Sequence, residues 1–180
     1  MRKLIAAMKT SVDGKIEGPE GYADWVDAWS EDYGLTPRID ACVVGGRMYP
    51  GYEHYWTTLD QGQPTPAERE WSDVAARLPH YVVSSTLTET AWPNTTILPG
   101  LDAVAELKQQ PGKDIYLMGG AALTAGAIEA DLLDELHLIV YPLVAGEGKP
   151  LFSTAKRHTL ELQDVRQLPG GLVNLVYTLR

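Results

Sequence analysis

Five short apolar runs rich in β-branched residues punctuate the chain, at residues 4–8, 41–44, 81–83, 115–118 and 136–141. Each has strand length and most lack polar alternation, the pattern of strands buried on both faces. Segments of helical spacing separate them. One carries Leu101, Val104, Ala105 and Lys108; another starts after Gly120 and runs through Leu123, Ala127 and Ala130. Strands alternating with helices need crossover connections, which confines the chain to a largely parallel sheet covered on both sides. The C-terminus departs from this. Residues 160–166 and 172–177 alternate around Pro169-Gly170-Gly171, which predicts an antiparallel hairpin appended to the sheet. Thr65 followed by Pro66 predicts a capped helix start. The expected fold class is α/β: a mixed sheet of about eight strands flanked by helices, with residues 1–180 as one domain.

Composition narrows the function classes. With 15 Lys+Arg against 24 Asp+Glu, the formal charge of the 180 residues is −9. Such a surface opposes general binding to nucleic acid or to an anionic membrane. Cys42 is the single cysteine, so an internal disulfide framework and a Cys-rich zinc site are excluded. His54, His80, His137 and His158 are scattered without metal-ligand spacing, and no metal is expected. No apolar run approaches the roughly 20 residues that span a bilayer. Lys9 and Asp13 cut short the apolar N-terminal stretch, so a cytoplasmic protein is expected.

Two strand ends stand out. Met118-Gly119-Gly120-Ala121-Ala122-Leu123 joins an apolar strand to a small-residue helix through two glycines. Glycines admit a ligand close to the backbone, and a helix N-terminus favours phosphate. A tight turn with no ligand explains the same spacing equally well. Val43-Val44-Gly45-Gly46-Arg47-Met48 repeats the motif with an arginine, whose fork of donors suits phosphate. Ser84 and Ser85 follow a third strand. Beyond the first strand lies a polar, glycine-rich loop, then Tyr22-Ala23-Asp24-Trp25-Val26-Asp27-Ala28-Trp29-Ser30-Glu31. Read as a helix, this segment puts Asp24, Asp27 and Glu31 on one face, with Trp25 and Trp29 beside them. A carboxylate next to an indole can be a raised-pKa acid or a substrate anchor; a solvated acidic face is the plainer alternative.

Taken together, the motifs resemble the dihydrofolate reductase-like superfamily, and within it the reductase domain of bacterial riboflavin biosynthesis. They are Ser11-Val12-Asp13-Gly14-Lys15-Ile16, Gly45-Gly46-Arg47-Met48-Tyr49, Gly119-Gly120-Ala121-Ala122-Leu123, Asp131-Leu132-Leu133-Asp134-Glu135-Leu136 and Val144-Ala145-Gly146-Glu147-Gly148-Lys149-Pro150-Leu151-Phe152. They occur in the family's order along nearly the whole chain. The resemblance implies an NADPH-dependent reductase of a small heterocyclic substrate. It places Gly119, Gly120, Ala121, Ala122 and Leu123 around the cofactor pyrophosphate, and Arg47 and Met48 at the adenosine phosphates. Ser84 and Ser85 fall beside the adenosine, and Ala7 and Ile16 near the nicotinamide. Asp13 and Lys15 occupy a loop facing nicotinamide and substrate, with Asp13 in a lid. Trp25, with Asp27 or Glu31, would meet the substrate, and Asp27 or a water would supply a proton.

Two positions depart from the pattern. Relatives in the riboflavin branch commonly carry a substrate-contacting Glu where this chain has Met118. Counting from Trp25, the first-helix carboxylate of dihydrofolate reductases falls on Ser30, so Asp27 or Glu31 would substitute. Neither H-x-E nor P-C-x-x-C occurs, so the zinc deaminase module that often precedes the reductase is not expected. A pterin or folate reductase and a non-catalytic nucleotide-binding module remain alternatives. Relatives are often homodimers; the alternating C-terminal strands suit such an interface, and equally suit burial under helices.

Overall fold

The computed structural model describes residues 1–26, 29 and 33–179. Eight strands form one sheet: β1 (Leu4–Ser11), β2 (Ile39–Gly45), β3 (His80–Val83), β4 (Thr95–Leu98), β5 (Asp114–Gly119), β6 (Glu135–Tyr141), β7 (Leu160–Gln167) and β8 (Val173–Leu179). Their spatial order is β4-β3-β2-β5-β1-β6-β8-β7. The first six strands pair in parallel, and β8 pairs antiparallel with both β6 and β7. All five apolar runs lie within strands, and the terminal hairpin turns at Pro169–Gly171 as expected. The hairpin enters the sheet in reverse: β8, not β7, meets β6.

Every side chain of β1 is buried, which explains the missing alternation. Odd positions Ile5 and Ala7 face one core, and even positions Leu4 and Ala6 face the other. Burying each large apolar side chain contributes roughly 1.5–3 kcal/mol, so the central strand supports both layers. Helices α1 (Tyr49–Thr57) and α2 (Pro66–Ala75) cover the first face with Tyr49, Tyr52, Trp56 and Trp71. Helices α3 (Leu101–Gln109) and α4 (Ala121–Glu129) cover the second with Val104, Leu107, Leu123 and Ile128. The Thr65 hydroxyl accepts from the Glu68 amide while Glu68 returns a bond to the Thr65 amide, so α2 starts on a capping box.

One expected element is not found. Residues 22–26 form turns, not the start of a helix, with the Val26 amide bonding Ala23 O at 3.1 Å. The shared helical face drawn through Asp24 therefore does not exist. Asp27 and Glu31 lie outside the described residues.

The chain leaving β2 crosses to the β3 side, and the chain leaving β5 crosses to the β6 side. Neighbouring parallel strands whose connections diverge open a crevice at their carboxyl ends, where α/β sheets bind ligands. Here that crevice lies between β2 and β5.

At the opposite edge an ionic lattice clamps the strand starts. Arg38 reaches Asp114 and Glu135 at 3.0 Å each, Lys3 reaches Glu135 at 2.7 Å, and Lys108 reaches Asp134 at 2.6 Å. A hydrogen bond from His137, together with Lys3 and Arg38, holds the Glu135 carboxyl down at about 2 against the opposing effect of burial.

Candidate active site

Gly45 and Gly46 end β2, and Gly119 and Gly120 end β5, so the topology brings the two glycine pairs to one crevice. A Cβ on Gly45 would meet Gly120 N at 3.2 Å, and one on Gly46 would meet the Ser84 Cβ at 2.5 Å. Gly119 has a φ of +123° and is flanked by two methionines: a Cβ there would lie 3.2 Å from Met8 Cε and 3.4 Å from Met48 Sδ. The peptide joining Gly119 to Gly120 is cis. The space where a Gly120 Cβ would stand is open.

Helix α4 begins directly after Gly120, which supplies no side-chain cap. The first amide to find an acceptor in the helix is that of Thr124, on Gly120 O at 3.0 Å. The amides of Ala121, Ala122 and Leu123 thus point their dipole at the crevice without intrahelical partners. A cavity of about 550 Å³ runs from Ala121 and Ala122 along α4 to Lys149 and Ser153. A second, polar cavity of about 500 Å³ lies past the far end of α4, at Glu129, Lys156, Arg157 and His158, away from the glycine edge. The first α4 amides and both methionines converge at the glycine edge.

Arg47 is exposed, and its guanidinium has no acidic partner among the described residues. Ser84 backs onto Gly46, and its Oγ accepts from the amides of Thr86 and Leu87 at 3.2 and 3.0 Å. It is therefore first a turn former, whereas Ser85 is exposed. Ala7 is buried in the sheet centre and offers only a flat floor.

The loop after β1 is tied to the loop that follows β6. Asp13 Oδ1 accepts from Ser11 Oγ at 2.6 Å and from the Ala145 amide at 2.9 Å, while Oδ2 accepts from the Gly146 amide at 2.9 Å. Backbone bonds extend the seam: Val12 to Leu143 O at 2.8 Å, Ile16 to Lys149 O at 2.9 Å and Leu151 to Gly14 O at 2.9 Å. The hydrogen bond from Ser11, reinforced by the two amides, lowers the Asp13 carboxyl to about 2. A carboxylate so committed stays ionised and donates no proton near neutrality. Asp13 is thus a tether between two loops.

The tether leaves Lys15 half-buried, with an ammonium that has no partner among the described residues. Trp25 packs near Gly18: a Cβ there would lie 3.6 Å from Trp25 Cζ3. Its Nε1 donor is buried without a hydrogen-bond partner among the described residues. An indole N–H and an ammonium, neither with a partner among the described residues, thus lie in the chain that follows β1. Sequence reasoning missed Met8 as a neighbour of the glycines, because only the pairing of β1 with β5 brings it there.

These residues fit a dinucleotide. Gly45 lets the Gly119-Gly120 backbone approach, the space beside Gly120 is open, the first α4 amides lack intrahelical acceptors, and Arg47 has no acidic partner among the described residues. No cluster of three metal-ligating side chains exists among the described residues. None of the helices is long and apolar enough to cross a membrane, among the described residues.

Sheet order, terminal hairpin and glycine-lined crevice define a dihydrofolate reductase-like α/β fold. The RibD C-terminal domain model matches residues 2–174, and the chain belongs to that family of reductase domains. The Bacillus subtilis protein YyaP is 34% identical over 98% of this chain and 94% of its own length. Among solved structures, a Shewanella sp. PV-4 protein superposes with a TM-score of 0.73 at 20% identity, covering 99% of both chains. The Thermotoga maritima diaminohydroxyphosphoribosylaminopyrimidine deaminase/5-amino-6-(5-phosphoribosylamino)uracil reductase superposes with a TM-score of 0.69 at 11% identity. The present chain covers 57% of that protein. At these identities the structural likeness speaks for the fold alone.

Proposed function

We propose that the chain is an NADPH-dependent reductase of the 5-amino-6-(5-phosphoribosylamino)uracil reductase type, or of a close relative acting on another flat heterocycle. The observation that carries this is the meeting of Gly45-Gly46-Arg47 with Gly119-Gly120 and the open start of α4 in one crevice. When bound, NADPH supplies a hydride from its nicotinamide. The amides of Ala121, Ala122 and Leu123 hold the pyrophosphate, with Gly119 and Gly120 leaving room for it. Arg47 pairs with the ribose phosphate, Ser84 and Ser85 border the adenosine, and Met48 packs beneath it. Ala7 and Ile16 floor the nicotinamide. Lys15 and the Trp25 N–H meet the substrate, Glu31 lies on its side, and the proton comes from Asp27 or from water. Asp13 serves by holding the Lys15 loop still.

Met118, where riboflavin-branch reductases carry Glu, favours a second reading within the class: reduction of a pterin, a folate or another small molecule. Steady-state NADPH oxidation with an aminouracil ribosylamine phosphate, with dihydrofolate and with neither separates these readings. Turnover of the first confirms the leading proposal, and turnover of dihydrofolate alone favours the second. A protein that fails to bind NADPH at all would be a non-catalytic module.

Homodimer formation is part of the proposal, through the uncovered end of the sheet. A bulge between Leu162 and Asp164 keeps Leu162, opposite Tyr177, and Val165, opposite Leu175, on one face. They are 51% and 53% exposed, so burial under helices does not explain them. Sedimentation equilibrium of the wild type against Leu162→Glu/Val165→Glu tests this: a wild-type monomer sinks it. A cytoplasmic location completes the proposal.

A further inference from the structure

Glu68 is a buried carboxylate, 5% exposed, on the first turn of α2. A helix cap needs no such burial, and this carboxylate serves more than the cap. Oε2 accepts from the Thr65 amide at 2.8 Å and from Thr65 Oγ1 at 2.9 Å. Oε1 accepts from the Tyr55 hydroxyl of α1 and, at 3.0 Å, from the backbone amide of Trp29. Burial would push its pKa up, but these donors outweigh burial and hold Glu68 below the ordinary carboxylate range, so it is charged at neutral pH.

The bond to Trp29 spans 39 positions and is the one that bears on the site. The segment crossing from the β1 loop is anchored at its near end by Gly18 N on Tyr22 O at 2.8 Å. Trp25, with its unused buried donor, lies between that anchor and Trp29. Asp27 and Glu31 stand two positions either side of Trp29 in sequence.

We infer that Glu68 is a positioning residue for the substrate side of the site: its carboxylate shares one charge between the α2 cap and the Trp29 amide, and so fixes the Trp25-bearing segment against α1 and α2. The inference rests on the reductase reading for its consequence in turnover, though not for the tether itself. A charge-assisted hydrogen bond is shorter and stronger than a neutral one, which suits a single acceptor holding a long crossing segment.

Three variants test it. Thr65→Ala removes the cap but leaves the Trp29 bond. Glu68→Gln keeps an acceptor for Trp29 while weakening the cap. Glu68→Ala removes both. Amide exchange of Trp29, read without substrate, is expected to accelerate about tenfold or more in Glu68→Ala and to stay near wild type in the other two. KM for the heterocycle is expected to rise about tenfold in Glu68→Ala alone, with the NADPH dissociation constant unchanged. Equal exchange in Thr65→Ala and Glu68→Ala overturns the tether, and accelerated exchange with an unchanged KM overturns the positioning role. A wild type that reduces no heterocycle sinks the reductase reading instead, and the exchange comparison still decides the tether.

Discussion

Gly148 lies against the carbonyl of Glu17 so closely that a Cβ on it would stand 2.0 Å from the Glu17 oxygen. Its φ of +124° is also one that L side chains rarely adopt. The two loops that Asp13 ties together can close only with glycine at this point. Gly148→Ala is expected to lower stability by about 1–3 kcal/mol, since either the backbone or the seam must give. A denaturation midpoint equal to that of the wild type would show that the loops are not packed in this way.

Acid should open the same seam within a defined window. The folded Asp13 carboxyl is lowered to about 2 by Ser11 and the Ala145 and Gly146 amides, against an ordinary value near 3.8. A depressed carboxyl contributes stability that is complete above the unfolded value and is lost as pH falls through the folded one. The tether therefore holds from neutrality to about pH 4 and fails between about 4 and 2. Because the carboxylate is exposed, the readout is local: exchange of the Ala145 and Gly146 amides should accelerate across that window. Asp13→Asn should show fast exchange at every pH, and a wild type with no change below pH 4 contradicts the assignment.

Arg47 should discriminate between cofactors. An exposed guanidinium with no acidic partner among the described residues can pair with a phosphate that NADPH has and NADH lacks. Arg47→Ala is expected to weaken NADPH about tenfold or more and leave NADH nearly unchanged. Quenching of tryptophan fluorescence gives both constants, and an equal loss for the two cofactors removes the phosphate role.

Asn174 is fully buried on β8, opposite Ile139, and neither its Oδ1 nor its Nδ2 finds a partner among the described residues. A buried polar group without a partner costs about 1–3 kcal/mol. Asn174→Leu is expected to raise the melting temperature by several degrees. A lower melting temperature would mean that an internal water satisfies the amide, and a high-resolution map would then show it.

The glycine ends of β2 and β5 were legible before the fold was. Gly45-Gly46 and Gly119-Gly120 each close an apolar run, so their place at carboxyl strand ends follows from strand period and glycine chemistry alone. Arg47 stood out because it follows such a pair in an acidic chain. The role of Asp13 was not legible: a carboxylate in a polar loop looks the same whether it faces a ligand or two amides 132 and 133 positions away. The helix drawn over residues 22–31 failed where it can be described, because carboxylates and indoles at helical spacing suit a helix only where tertiary contacts leave those residues helical. Here the anchor of Gly18 on Tyr22 ends just before a turn in which the Val26 amide bonds Ala23 O.

Local sequence determined every strand but β4, the α2 cap at Thr65, the terminal turn and the glycine ends, since each depends on periodicity or backbone freedom within a few residues. Tertiary structure alone decided which ends became neighbours. The crevice exists because β5 inserts between β2 and β1, bringing Gly120 to Gly45 and Met8 to Gly119. It also decided which carboxylates were spent: Asp13 on a loop seam, and Glu68 on a cap and a distant amide. Strand order and long-range hydrogen bonding join residues far apart along the chain, and no local pattern carries that information.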